Sequence, residues 1–257
     1  MDILGKVYKD YFCKTLELDG NSHLLKNFNL GGIFNLINEL EIIKFNFKDV
    51  NFFFYLVVNS LEKDIPINNN FELIYCKNES PKVLIFDEEG KRTSFVLDDN
   101  PVKIPNFTKN SEFILILYGD KLIPYNLSSY EKVFIDTAGN DYKDLVSFSK
   151  LNCYPKDSIV SISSELLTDQ LSYLLKKRKY IILSHNPEST QIISESHTLN
   201  VKNDFYKPLN LTSQSIKVTG LGDKYIALVS LYHSYLGLNL VESIRKSQEF
   251  ISNRFLI

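Results

Sequence analysis

Apolar and polar positions follow two rhythms along the chain. Ile33, Leu36, Ile37 and Leu40 fall at i, i+3, i+4 and i+7, which predicts a helix from residue 32 to about 43, opening at Gly31-Gly32. From residue 50 onward, short apolar runs separated by turn residues predict strands at Phe52–Val58, Phe71–Cys76, Lys82–Phe86 and Thr93–Leu97. Glu88-Glu89-Gly90 predicts a hairpin turn between the last two. In the second half the alternation disappears. Phe113–Tyr118, Val133–Ile135, Ser158–Ile162 and Tyr180–Leu183 are continuously apolar or small, as expected of parallel strands covered on both faces. Helices fit between them at about 141–150 and 164–178, and Lys176-Lys177-Arg178-Lys179 closes the second, where the helix dipole favours positive charge. Strand and helix in this succession predict a three-layer α/β/α fold with a mostly parallel central sheet and ligands at the carboxyl ends of its strands. No repeat or linker divides residues 1–257, so one domain is expected.

Composition narrows the functional classes. The chain carries 29 Lys plus Arg against 31 Asp plus Glu, a net charge of −2, and lacks the basic excess of a nucleic-acid binder. No apolar run approaches the roughly 18 residues that span a bilayer, and no basic-then-apolar leader opens the sequence. A cytoplasmic protein with no membrane and no nucleic-acid partner is expected. Cys13, Cys76 and Cys153 are isolated and odd in number, which points to free thiols rather than disulfides or zinc. His233, inside an apolar helix, is expected to be packed and hydrogen-bonded, and Phe52-Phe53-Phe54-Tyr55 to be a core strand.

Chemistry concentrates at residues 217–236. Gly220-Leu221-Gly222 leads into an apolar helix beginning near Asp223. Two glycines let the backbone turn so that amides at the helix start point outward together, and the dipole there favours an anion. A carboxylate beside such an anion hole is able to take the proton of an attacking hydroxyl while the hole holds transferring phosphoryl charge. The same spacing suits an ordinary Asp N-cap after a glycine turn.

Thr219-Gly220-Leu221-Gly222-Asp223 resembles the latter part of the Asp-Thr-x-Gly-Ala-Gly-Asp signature of the ribokinase-like (PfkB) carbohydrate kinases. The resemblance implies that Asp223 is the catalytic base and that Gly220, Leu221 and Gly222 form the anion hole. Leu30-Gly31-Gly32-Ile33-Phe34-Asn35 resembles the family's Gly-Gly-x-x-x-Asn, and Asp10, after a strand containing Gly5, resembles the Asp that holds sugar hydroxyls. Asp10, Gly31, Gly32 and Asn35 are thereby implied to bind the acceptor. Asp87 to Arg92 is similar to a strand-turn-strand segment of the family, and Ser111 to Gly119 to the strand that opens its second half. Leu238 to Glu242 resembles the start of the penultimate family helix, with Asn239 and Glu242 spaced as a capping box. The likeness spans about residues 3 to 252.

The family implies ATP and Mg²⁺ as cofactors, a nucleotide loop at Ser184, Asn186 and Ser189, and Glu165 near the metal. It also implies a small β lid from about 10–30 and 71–98, through which two copies pair as a homodimer. The expected activity is ATP-dependent phosphorylation of a hydroxyl on a small sugar, polyol or nucleoside. Departures from the family pattern motivate an alternative, a non-catalytic sugar- or nucleoside-binding protein on the same fold. Lys217-Val218 stands in place of Asp-Thr, Ile162 in place of the Asn of Asn-x-x-Glu, and Ser184 to Ser189 has lost both loop glycines and gained Pro187. Lys224, following the base, is expected to pair with Asp223 or contact a phosphate.

Overall fold

A computed structural model describes residues 1–13, 29–39, 43–44, 47–59, 70–76, 81–88, 91–97, 99–124, 127–137, 142–151, 153–206 and 221–255. The expected turn residues Glu89 and Gly90, the stretch 14–28 of the expected lid, and Lys217 to Gly220 lie outside the described residues.

The apolar runs build one large sheet. Its strands are β1 (Asp2–Cys13), β3 (Phe53–Asn59), β4 (Phe71–Cys76), β8 (Phe113–Ile116), β10 (Lys132–Asp136), β11 (Ile159–Ser163), β12 (Ile181–His185), β13 (Ser189–Ile193) and β14 (Thr198–Lys202). They run in the order β14-β13-β12-β11-β10-β8-β1-β3-β4, parallel from β12 to β4, with β13 and β14 antiparallel at one edge. Successive side chains on a strand face opposite ways, and here neighbours on a strand enter different cores. On β8, Leu115 joins one apolar cluster while Ile114 and Ile116 join the other; on β1, Ile3 and Val7 join the first and Leu4 the second.

The first cluster is covered by α1 (Ile33–Ile37), α4 (Leu221–Ser234) and α5 (Leu240–Phe255), and the second by α2 (Tyr142–Lys150) and α3 (Asp169–Lys177). The second also takes in Val102 and Ile104 of β7 (Val102–Ile104), which pairs in parallel with β9 (Leu122–Pro124). These layers are the predicted three-layer architecture. Leu4, Leu56, Ile116 and Leu228 are fully buried, each contributing about 1.5–3 kcal/mol of transfer free energy.

A smaller sheet grows from the same first strand. Beyond Lys6, β1 leaves the large sheet. It pairs antiparallel with β2 (Asn29–Gly32) on one side and parallel with β5 (Lys82–Glu88) on the other, and β5 continues into β6 (Lys91–Leu97). Phe71–Cys76, expected in the lid, is instead the edge strand β4 of the large sheet, registered from Phe54↔Phe71 to Asn59↔Cys76. The small sheet on that side therefore starts at Lys82.

Several predicted elements have other bounds in the structure. The run ending at Tyr118 stops as strand at Ile116, because Tyr118 takes a left-handed backbone (φ 62) and turns the chain into a short 3-10 segment, Gly119–Lys121. The helix expected from residue 164 begins at Asp169, where the Thr168 hydroxyl accepts from the Leu171 amide at 3.2 Å, while Leu166 N donates to Ser163 O in a separate turn. Of the helix expected to reach about 43, α1 is described to Ile37, residues 40–42 lie outside the described residues, and Ile43 N donates to Glu39 O at 3.2 Å in the helical segment 43–44.

Candidate active site

The parallel strands end together, and their carboxyl ends carry the chemistry: Tyr8 and Asp10 after the hand-over in β1, Tyr118 after β8, Asp136 on β10, and Ser184 and His185 on β12. The amino end of α4, which packs on β8 and β10, meets them there. Asp223 lies in its first turn with only 6% of its surface exposed. The Tyr118 hydroxyl donates to Asp223 Oδ2 at 3.2 Å, and the Asn35 side chain, brought by α1, hydrogen-bonds the same carboxylate.

Burial raises the Asp223 carboxyl to about 6, against the hydrogen bonds from Tyr118 and Asn35 and the Lys224 charge, which favour the anion; the nearby Asp10 charge raises it further. Asp136 is pushed up more strongly, first by burial and then by the Asp223 charge. Tyr118 and Tyr8 are held well above the ordinary phenol range, mainly by burial, so both remain donors.

The acceptor residues implied by the sequence gather around this point. Gly31 is required for close packing, since a Cβ there would fall 2.2 Å from Asp10 Oδ2. Gly32 has φ +64, and a Cβ on it would meet Lys6 O and the Tyr8 ring, both at 2.4 Å. Gly222 is the opposite case: among the described residues no atom lies within 4 Å of where its Cβ would stand. Leu221, Gly222 and Asp223 open the described part of α4. Gly220 lies outside the described residues. Lys224 is buried, with its Nζ 3.1 Å from Glu39 Oε1, and its charge also acts on Asp223.

The residues expected on the nucleotide side sit on β12, β13 and the turn between them. Ser184 is buried in β12. Asn186 and Ser189 close the β12–β13 turn: Asn186 Oδ1 accepts from the amides of Glu188 and Ser189 at 2.9 and 2.8 Å, an Asx turn around Pro187. The His185 ring lies 5.3 Å from Tyr225 of α4, and burial lowers its imidazole to about 4, which keeps it neutral. Glu165 stands in an exposed turn after β11. Among the described residues no three His, Cys, Asp or Glu side chains converge to hold a metal, so Glu165 alone does not make a cation site.

Tyr118, Asp136 and Asp99 were not anticipated from the sequence. Asp136 had a signal, a carboxylate ending the apolar run Val133-Phe134-Ile135. Tyr118 and Asp99 had none, because their importance lies in contacts across more than 90 residues of chain.

No family model matches the sequence, and no curated protein sequence matches it. Solved structures do. The chain superposes over its full length on 91% of a Burkholderia thailandensis nucleoside kinase in complex with inosine, with a TM-score of 0.62 and 10% identity. It matches 92% of an Arabidopsis thaliana ribokinase complexed with ribose and ATP at a TM-score of 0.58 and 10% identity. With a Methanocaldococcus jannaschii nucleoside kinase, an archaeal member of the ribokinase family, 97% of the chain matches 88% of that one, with a TM-score of 0.56 and 16% identity. The protein has the ribokinase-like α/β fold. Its structural neighbours are sugar and nucleoside kinases, and no helix among its described residues is long and apolar enough to cross a membrane.

Proposed function

We propose that the protein transfers the terminal phosphoryl group of ATP to a hydroxyl of a small sugar, polyol or nucleoside. The observation that carries this is Asp223: a buried carboxylate in the first turn of α4, tuned to about 6, held by Tyr118 and Asn35 and facing Asp10. As the base, Asp223 accepts the proton of the acceptor hydroxyl as oxygen attacks phosphorus, and ADP leaves with the former bridging oxygen. The amides of the first turn, from Gly220 to Asp223, stabilise the charge on the migrating group. Asp10 and Asn35 orient the acceptor hydroxyls, and the small sheet β2-β1-β5-β6 covers them, excluding water that would otherwise consume ATP. Ser184, Asn186 and Ser189 would hold the nucleotide, and Glu165 would face the Mg²⁺ that neutralises its phosphates. Two small sheets meeting face to face would form the homodimer.

Asp223→Asn keeps the shape and hydrogen bonds of the site and removes the base. Phosphoryl transfer to a panel of sugars, polyols and nucleosides is expected to fall about 10²–10⁴-fold with an unchanged circular-dichroism spectrum. Undiminished turnover would refute the assignment.

A second reading, a binding protein without transfer, is favoured by one observation: the Asn186 side chain, in the expected nucleotide loop, is spent on its own turn. Thermal denaturation separates the two. A nucleotide at 100 times its dissociation constant stabilises the fold by about 2.7 kcal/mol, and stabilisation by acceptor but by no nucleotide selects the binding protein.

A further inference from the structure

The feature of the site that the resemblance does not account for is Tyr118. Its backbone is left-handed, one of three non-glycine residues with positive φ among those described, and a bulky side chain in that region is strained. Strain at a residue persists when surrounding contacts over-determine it, and here they do. The Tyr118 ring packs on the Tyr8 ring with centroids 4.8 Å apart. The Tyr8 hydroxyl donates to Asp99 Oδ2 at 2.8 Å, and Asp99 Oδ1 is bound by Lys6 Nζ at 2.6 Å. Lys6 also donates to Asn100 O at 2.7 Å, which fixes the far end of the chain of contacts. The near end is the 3.2 Å hydrogen bond from the Tyr118 hydroxyl to Asp223 Oδ2.

We propose that Tyr118 is a positioning residue for Asp223: locked by the Lys6–Asp99–Tyr8 chain, its hydroxyl holds one carboxylate oxygen and aims the other at the acceptor. This rests on the reading of Asp223 as the base. Other groups face the same carboxylate. Asp10 comes from β1, Asp136 from β10, Asn35 from α1 and Lys224 from α4 itself. The Asp10 charge opposes its ionisation, Lys224 and Asn35 favour it, and the Asp223 charge in turn pushes Asp136 up, so among them Tyr118 is the hydroxyl that steadies the anion without adding charge.

Tyr118→Phe removes the hydroxyl and keeps the ring on Tyr8. Losing a donor to the ionised form makes that form less favourable, so Asp223 should titrate higher by roughly one pH unit. Two measurements read this. In side-chain carboxyl ¹³C NMR, with the Asp223 signal assigned by its absence in Asp223→Asn, the midpoint moves upward in Tyr118→Phe. In kinetics, the acid limb of kcat/KM moves upward by the same amount, while kcat falls about tenfold and KM changes little. An Asp223 midpoint that does not move overturns the proposal, whatever happens to stability. The NMR arm needs no turnover, so a wild-type protein inactive on every acceptor defeats the proposed function while the positioning by Tyr118 is still judged. Should Tyr118→Phe not fold, Tyr118→Leu, which also lacks the hydroxyl and keeps apolar cover over the carboxylate, carries the same expectation and the same refutation.

Discussion

At the scale of the residue, the site is a compromise between solvation and reactivity, and Asp223 shows its size. The carboxyl is raised from 3.8 to about 6 by burial, a difference that amounts to at most about 3 kcal/mol of destabilisation once the group is ionised. The sign follows from proton binding. Between pH 3.8 and about 6 the folded form holds a proton that the unfolded form has released, so stability from this group declines as pH rises through that window and stays low above it. Asp223→Asn removes the charge, and the variant is expected to be more stable than the wild type at pH 7. The margin should shrink to nearly nothing at pH 4, as measured by urea denaturation at a series of pH values. A margin independent of pH would show that Asp223 is not buried as a charge. Lost transfer with gained stability in one variant is the mark of a residue kept for chemistry.

At the scale of the element, much of the fold was legible because hydrophobic period and cap chemistry are local. The capping box at the start of α5 was written in the sequence and is present: Glu242 N donates to Asn239 Oδ1 at 3.0 Å, and Asn239 N donates to Glu242 Oε2 at 3.3 Å. Asn239→Ala is expected to cost about 1 kcal/mol, a fall in melting temperature of about 2–4 °C, with phosphoryl transfer unaffected because α5 does not touch the site. A change under 1 °C in calorimetry would mean that packing alone sets the start of the helix.

The continuous runs around Leu115, Phe134, Val160 and Ile182 announced parallel strands, and all four are central strands of the large sheet. His233 is likewise packed as expected, its Nδ1 lying 2.7 Å from Leu238 O. What the sequence hid is equally physical. β13 and β14 mix Gln191, Asn200 and the exposed Leu199 with apolar residues, and a two-strand edge half in water shows no clean period. β7 and β9 are three residues each, too short for any period to register. Of the site, Asp223 and its glycine turn were visible because a helix start concentrates its signals in a few residues. Tyr118 was read as the end of an apolar strand, since nothing local distinguishes a core tyrosine from one that reaches across to another helix.

At the scale of the whole molecule, β1 joins the two sheets: Asp2 to Lys6 pair with β3 in the large sheet, and Val7 to Cys13 pair in the small one. Lys6 sits at the hand-over, 3% exposed, with Asp99, from the segment after β6, as its ion-pair partner. The pair therefore ties the return of the small sheet to the strand from which that sheet departs. A buried pair is weak evidence of net stabilisation, because desolvation offsets the attraction, but removing one member leaves the other charge stranded. Asp99→Ala is expected to destabilise the protein by about 3–5 kcal/mol, partly through Tyr8, which loses its acceptor. Lys6→Met combined with Asp99→Leu, which removes both charges and keeps the volume apolar, should recover most of that loss. The same double variant should still transfer phosphate poorly, because Tyr8 no longer fixes the Tyr118 ring. Equilibrium denaturation of the wild type, Lys6→Met, Asp99→Leu and the double variant, with turnover measured on each, separates the two roles. If the double variant recovered full activity together with its stability, the pair would serve only to hold the sheets, and the base would be positioned without it.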